Sequence, residues 1–200
     1  MKRKELEIIL ERIEAIPEPE VASEQYATPA PVAADLLFFA FANGDIKDRV
    51  VYDLGCGAGI LGIGAKLLGA RRVIGIDKDH KALEVARRNS ARFDVAVDFL
   101  QCGVREVQGA GDTVVMNPPF GAQWKDRHAD RVFLVKALEI APVVYSLLNA
   151  ASEPFVRLLF PHADIERFSV AFTLKRQFAF HTKDRKRIPV DIYRIARSER

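Results

Sequence analysis

Asn117, Pro118, Pro119 and Phe120 follow one another directly after the apolar run Thr113–Met116. Together these residue types can handle an amino group attached to a flat ring. Two consecutive prolines freeze an extended backbone. Phe120 offers an apolar plate on which a base can stack, worth about 1 to 3 kcal/mol. The Asn117 side-chain oxygen and the Pro118 carbonyl can jointly accept the hydrogens of the amine. An exocyclic amine on a nucleobase is a poor nucleophile, because its lone pair is delocalised into the ring. Two acceptors gripping its hydrogens push the nitrogen toward a tetrahedral form that can attack an electrophilic methyl carbon. That is catalysis by positioning and electrostatics, with no general base needed before transfer. The plain alternative is a Pro-Pro turn.

A second group, Asp53-Leu54-Gly55-Cys56-Gly57-Ala58-Gly59, comes at the end of another apolar run and opens a helical segment. Glycines there let the backbone turn sharply and a nucleotide cofactor approach. The spacing is G-x-G-x-G, with Ile60 where a dinucleotide fingerprint would continue. An acid two residues before the first glycine points instead to S-adenosylmethionine, whose cationic amino acid end has no pyrophosphate to seat. About twenty residues further on, Asp77 ends the next apolar run. It is placed to accept both ribose hydroxyls of an adenosine. Its other reading is a helix cap, for which Asp79 is the better candidate.

Such residues need a frame. Leu6, Ile9, Leu10, Ile13 and Ile16 recur at helical spacing until Pro17, which predicts an amphipathic helix up to that point. A loop over 24–29 follows, with Thr28 placed to cap a helix over 31–42 that Asn43-Gly44 stops. From Val50 onward, short apolar runs alternate with helical segments, the pattern of a parallel sheet with crossover helices. Strands are expected at 50–54, 73–77, 95–101, 113–116 and 143–148, and helices at 60–68, 80–92, 130–140 and 153–162. Residues 168–180 and 190–196 alternate apolar with polar around a basic turn, which predicts a closing antiparallel hairpin.

Two hundred residues, 49% of them hydrophobic, make one ordinary α/β domain. We divide it into a helical cap and lid at 1–45 and a catalytic core at 46–200. Cys56 and Cys102 are too few for a disulfide framework, so a reducing cytoplasm is the expected setting. No stretch reads as a signal peptide or a membrane span. The net charge is +3, but residues 165–200 carry ten basic and four acidic side chains. A polyanion is therefore a candidate partner for that end, with a solvated edge as the alternative.

The chain resembles the Rossmann-like class I adenine-N6 methyltransferases of small-subunit ribosomal RNA found in archaea and eukaryotes. The residues that carry the likeness are Glu24-Gln25-Tyr26 with Thr28, the glycine loop, Asp77, Asn89, Gln101-Cys102, Asn117 to Gly121, and Val190-Asp191. The resemblance implies a seven-stranded, mostly parallel sheet with an antiparallel last strand. It also implies that the loop passes under S-adenosylmethionine, lined by Gly55, Gly57, Ala58 and Ile60 with Asp53 near the methionine end, while Gln25 and Thr28 contact the cofactor from a lid. Where the family commonly has an aspartate that binds the cofactor's adenine, this chain has Gly103. Val104 and backbone amides are left to hold the ring, and one lost carboxylate hydrogen bond costs roughly 1 to 3 kcal/mol of affinity.

The segment Lys183, Arg185, Lys186 and Arg187 corresponds to a basic stretch of the family and suits RNA phosphates. Trp124, in a polar loop after the tetrad, is read as a substrate contact. A small zinc-binding activator protein is the implied partner. The expected activity is transfer of a methyl group to the N6 amine of an adenosine in RNA, most directly ribosomal RNA. The alternatives are a DNA adenine methyltransferase, a protein glutamine N-methyltransferase, or a non-catalytic RNA-binding module that keeps the fold.

Overall fold

The computed structural model describes residues 1–17, 27–119, 129–175 and 185–198, with side chains described for all of these except 129, 173–175 and 185–188. Among the described residues the chain builds a seven-stranded sheet from β1 (Val50–Leu54), β2 (Arg72–Asp77), β3 (Asp98–Gln101), β4 (Thr113–Met116), β5 (Val143–Asn149), β6 (Ala163–Lys175) and β7 (Arg185–Arg197). Their order across the sheet is β3-β2-β1-β4-β5-β7-β6. β1 pairs parallel with β2 and β4, while β7 runs antiparallel to both β5 and β6. The last strand in sequence is thus the one that reverses direction, as expected.

The helices are α1 (Arg3–Leu10), α2 (Ala30–Ala42), α3 (Ile60–Leu67), α4 (His80–Arg92), α5 (Ala129–Ile140) and α6 (Glu153–Leu159). Two apolar clusters reflect the alternation of strand residues between the faces of the sheet. Val51, Val73, Val115 and Ile192 meet Leu6, Leu10, Leu36, Leu37 and Leu61 from α1, α2 and α3. Leu54, Ile76, Met116 and Ile195 meet Leu134, Leu138 and Val156 from α5 and α6. No helix of the described residues is long and apolar enough to cross a membrane.

Several local expectations change. α6 stops at Leu159 rather than 162, because Phe160 leaves the helical region ahead of Pro161, and β6 starts at Ala163 rather than 168, while 176–180 of that expected strand lie outside the described residues. α1 ends at Leu10, and Ile13 to Ile16 leave the helix because the backbone of Glu14 is hydrogen-bonded by Asn89 of α4. β3 starts at Asp98 rather than 95, since the Val95 amide still closes the end of α4 by bonding Ser90 O. Thr28 caps nothing. Pro29 holds the N-cap position of α2, and the Thr28 hydroxyl is engaged elsewhere. Arg185, Lys186 and Arg187 lie within β7 instead of in a turn, because β6 extends to Lys175 and pairs with them.

Candidate active site

In a parallel sheet the loops after successive strands emerge at one edge. The strand order reverses between β1 and β4, where such sheets open a crevice for ligands. The glycine loop follows β1, Asp77 ends β2, Gly103 follows β3 and Asn117 follows β4. Residues from Gly55 to Asn117 are thereby brought to one edge by topology alone.

The loop is a chain of left-handed turns: Gly55, Gly57 and Gly59 have φ of 71, 52 and 86°, a region that side chains disfavour. Its amides are bound inward. Gly55 and Cys56 donate to Ile76 O at 2.8 and 2.9 Å, Gly59 donates to Cys56 O at 2.8 Å, and Gly57 donates to Asp77 Oδ2 at 2.8 Å. Ala58 passes its carbonyl to Asn89 Nδ2 at 3.0 Å. Ile60 begins α3.

Two carboxylates support this loop from below and beside it. Asp53 is 2% exposed, and its Oδ2 accepts the Gly62 amide at 2.7 Å, one of the free N–H groups of the first turn of α3. Burial raises its pKa to about 7, opposed by the Gly62 hydrogen bond and reinforced by the charge of Asp77. Burial also raises the pKa of Asp77, against the pull of the Asp79 and Gly57 amides. Asp77 Oδ2 accepts the Gly57 amide and Oδ1 the Asp79 amide at 3.0 Å, and a carboxylate with about four lone-pair sites keeps acceptor capacity for a hydroxyl beside them. The cap of α4 is Asp79, whose side chain accepts the Lys81 amide at 2.9 Å. Asp77 is left to face the loop.

Across the crevice, Asn117 Nδ2 donates to Thr28 Oγ1 at 3.0 Å, which fixes the plane of the carboxamide. Its Oδ1 is buried and has no hydrogen-bond partner among the described residues. A buried acceptor without a partner costs about 1 to 3 kcal/mol, so this oxygen is a site where a donor would be stabilised. Pro118 is buried and Pro119 half-buried beside it.

Gly103 adopts φ −72° and ψ 148°, an ordinary extended conformation, and donates its amide to Glu106 Oε2 at 3.1 Å. No backbone need for glycine exists there. Val104 opens the short 3-10 turn that follows. Gln25, Phe120, Trp124 and Lys183 lie outside the described residues, as do the side chains of Arg185, Lys186 and Arg187. The backbone of these last three is placed. β5 ends at Asn149, paired with Val190, so Arg185 to Pro189 continue past it at the carboxyl edge, a reach of roughly 17 Å at ~3.4 Å per residue. The root of this ribbon is fastened by buried Asp191, which accepts from Arg167 Nη1 at 2.6 Å and Ser169 Oγ at 2.7 Å.

Two functional relationships were not assigned from sequence: Thr28 positioning Asn117, and Asn89 holding the loop. The second left a signal. Asn89 falls in the apolar stripe of α4 with Ala82, Leu83, Val85 and Ala86, where a polar side chain must find partners.

The composition of this edge, an acid-flanked glycine loop opposite an Asn-Pro-Pro segment, agrees with what known proteins resemble it. The Methyltransferase small domain family profile matches residues 30–140. An uncharacterised protein of Methanocaldococcus jannaschii is 40% identical over 98% of this chain and 94% of its own. The rRNA N(6)-adenosine-methyltransferase METTL5 of Danio rerio is 34% identical over 98% of this chain and 99% of its own length. Among solved structures, a Pyrococcus horikoshii protein provisionally described as an RNA methyltransferase superposes with a TM-score of 0.88 at 40% identity, covering 100% of this chain and 99% of that one. The fold, the edge on which these residues meet and the matches over nearly the whole chain place it in the methyltransferase small domain family, whose cofactor is S-adenosylmethionine.

Proposed function

We propose that this chain methylates the N6 amine of an adenosine in ribosomal RNA. The observation that carries the reading is the buried Asn117 Oδ1, without a partner among the described residues and set at the β1/β4 crevice opposite the glycine loop. The residues present fit the cofactor. Asp77 retains acceptor capacity toward the ribose hydroxyls, Gly55, Gly57, Ala58 and Ile60 line the loop, and Asp53 lies toward the cationic amino acid end. Thr28 contacts it from the cap, Gln25 is assigned a second contact by its place in the sequence alone, and Gly103 and Val104 flank the adenine. When bound, S-adenosylmethionine supplies a methyl group activated on a sulfonium.

The chain's own work is to present the acceptor. The adenosine must leave its stack to reach the crevice. Phe120 stacks on the base, Pro118 and Pro119 keep the strand end extended, and Asn117 Oδ1 with the Pro118 carbonyl accepts the two amine hydrogens. The nitrogen lone pair is thereby freed and aimed, and the proton released after transfer goes to solvent. Trp124 contacts the substrate, and Lys183 together with Arg185, Lys186 and Arg187, whose backbone lies on the projecting ribbon, holds RNA phosphates. We read the chain as a single cytoplasmic domain, with 1–45 as cap and lid over a core at 46–200. A small zinc-binding protein is its activating partner.

The test is to supply labelled cofactor together with unmethylated small ribosomal subunits, duplex DNA or ribosomal protein. Label is expected in the RNA alone. Label in DNA or in a glutamine amide would overturn the reading. Absence of cofactor binding at millimolar concentration by calorimetry would leave only a non-catalytic RNA-binding module.

A further inference from the structure

Beyond the first turn of α1 and its core contacts, the N-terminal segment has a second attachment that the proposed mechanism does not use. Asn89 is 1% exposed, and three hydrogen bonds occupy its carboxamide. Its Oδ1 accepts the Glu14 amide at 2.9 Å, and its Nδ2 donates to Glu14 O at 3.0 Å and to Ala58 O at 3.0 Å. One side chain therefore copies a strand-like pairing with residue 14 while pinning the glycine loop. The pinned peptide is a sensitive one. Ala58 sits between Gly57 and Gly59, both at positive φ, where the backbone has the widest freedom to rotate. With its carbonyl on Asn89 and the adjoining Gly59 amide on Cys56 O, the Ala58–Gly59 peptide is held at both ends.

Neighbouring residues of α4 fasten the same segment. Arg88 Nη2 meets Glu14 Oε1 at 3.2 Å and Arg92 Nη1 donates to Arg12 O at 3.2 Å. Ile16 Cδ1 lies 3.8 Å from where a Cβ on Gly57 would stand, so this side chain covers the loop from outside.

We propose that Asn89 is a positioning residue that couples the docking of residues 12–16 to the cofactor-binding shape of the glycine loop. Whatever stabilises one stabilises the other, and by linkage the coupling is reciprocal. The inference rests on the functional reading above only in naming S-adenosylmethionine as the ligand of that loop.

Amide hydrogen exchange read by mass spectrometry on the full chain, with and without S-adenosylhomocysteine as probe, tests it. In the wild type the probe is expected to slow exchange at 12–16 as well as at 55–60. Asn89→Ala should exchange faster in both segments without ligand, bind the probe at least about tenfold more weakly, and lose the ligand-induced protection of 12–16. The double variant Arg88→Ala/Arg92→Ala, altered only at exposed positions, should fold and weaken the probe two- to threefold. It therefore carries the test if Asn89→Ala does not fold. Wild-type affinity in either variant, or protection of 55–60 with none at 12–16, overturns the proposal. A wild type that binds no probe at all would instead overturn the functional reading, and the ligand-free exchange of Asn89→Ala would still report whether the latch exists.

Discussion

On the β1–β2 side of the crevice the polar side chains already have partners within the protein. Asp53 holds Gly62, Asp77 holds Gly57 and Asp79, and Asn89 holds Ala58 and Glu14. On the β4 side, Asn117 has its amide nitrogen on Thr28 and its oxygen on nothing among the described residues. The difference separates two kinds of preorganisation. A cofactor half whose loop is fixed in advance has little to reorganise when it binds, so damage there should appear as lost affinity. An acceptor half that keeps a buried oxygen for the substrate gains most when the amine becomes tetrahedral, so damage there should appear in the rate.

The largest effect is expected on the acceptor side. Asn117→Ala should slow the single-turnover step by roughly a hundredfold or more, with RNA and cofactor affinities changed little. Phe120→Ala should weaken productive binding of the base as well, because stacking holds the base before transfer too. Near wild-type turnover in Asn117→Ala would erase the proposed contrast.

On the cofactor side, Asp77→Ala removes an acceptor for ribose hydroxyls and the anchor of Gly57. It should raise the cofactor dissociation constant by about 10- to 100-fold, equivalent to about 1.4 to 2.7 kcal/mol, as read by calorimetry. An unchanged constant would reduce Asp77 to a structural support.

Asp53 adds a pH dependence whose sign is set by its raised pKa of about 7. Between about pH 4 and 7 the folded chain holds a proton at Asp53 that the unfolded chain has lost, so this group's contribution to stability decreases as pH rises through that window. If the cofactor's cationic end lies toward Asp53, as proposed, its charge favours the ionised form. Cofactor binding should therefore release a proton, and affinity should fall by up to ~10-fold per unit as pH drops below 7. Calorimetry in buffers of different ionisation enthalpy reads the proton, and Asp53→Asn should abolish the dependence.

The ribbon and the position after β3 should give smaller effects. Neutralising Lys183, Arg185, Lys186 and Arg187 together should flatten the salt dependence of RNA binding and leave cofactor affinity intact. An unchanged slope would place the RNA elsewhere. Gly103→Asp should fold, because φ and ψ there suit any residue and an added Cβ would lie 3.6 Å from Glu106 Cδ, an ordinary contact. Its carboxylate would sit near that of Glu106. A gain in cofactor affinity of roughly fivefold, about 1 kcal/mol, is expected most clearly with Glu106→Gln beside it, as measured by calorimetry.

How much of this was legible in the sequence depended on range. β1, β4 and α4 carry their own apolar period and local stop signals, and their bounds are those that the pattern predicts. The positions of the glycine loop and Asp77 are equally readable, because they follow from strand ends a short distance apart. α1 was read too long because Ile13 and Ile16 continue the helical spacing, while the partner that pulls residue 14 out of the helix lies 75 residues away. Thr28 has the local chemistry of a cap, whereas its contact with Asn117 spans 89 residues. The basic residues of β7 were assigned to a turn by composition, and pairing with β6 overrode it. What escaped the sequence was the set of hydrogen bonds that only the folded topology brings within reach.

The central claim is that the acceptor half was built for an adenine amine. Its most direct test is to incubate the chain with labelled S-adenosylmethionine and unmethylated ribosomal RNA, digest the RNA to nucleosides and identify the one that carries the methyl group. The account predicts N6-methyladenosine from the wild type and almost none from Asn117→Ala. Label on a ring nitrogen, a ribose hydroxyl or another base would contradict it.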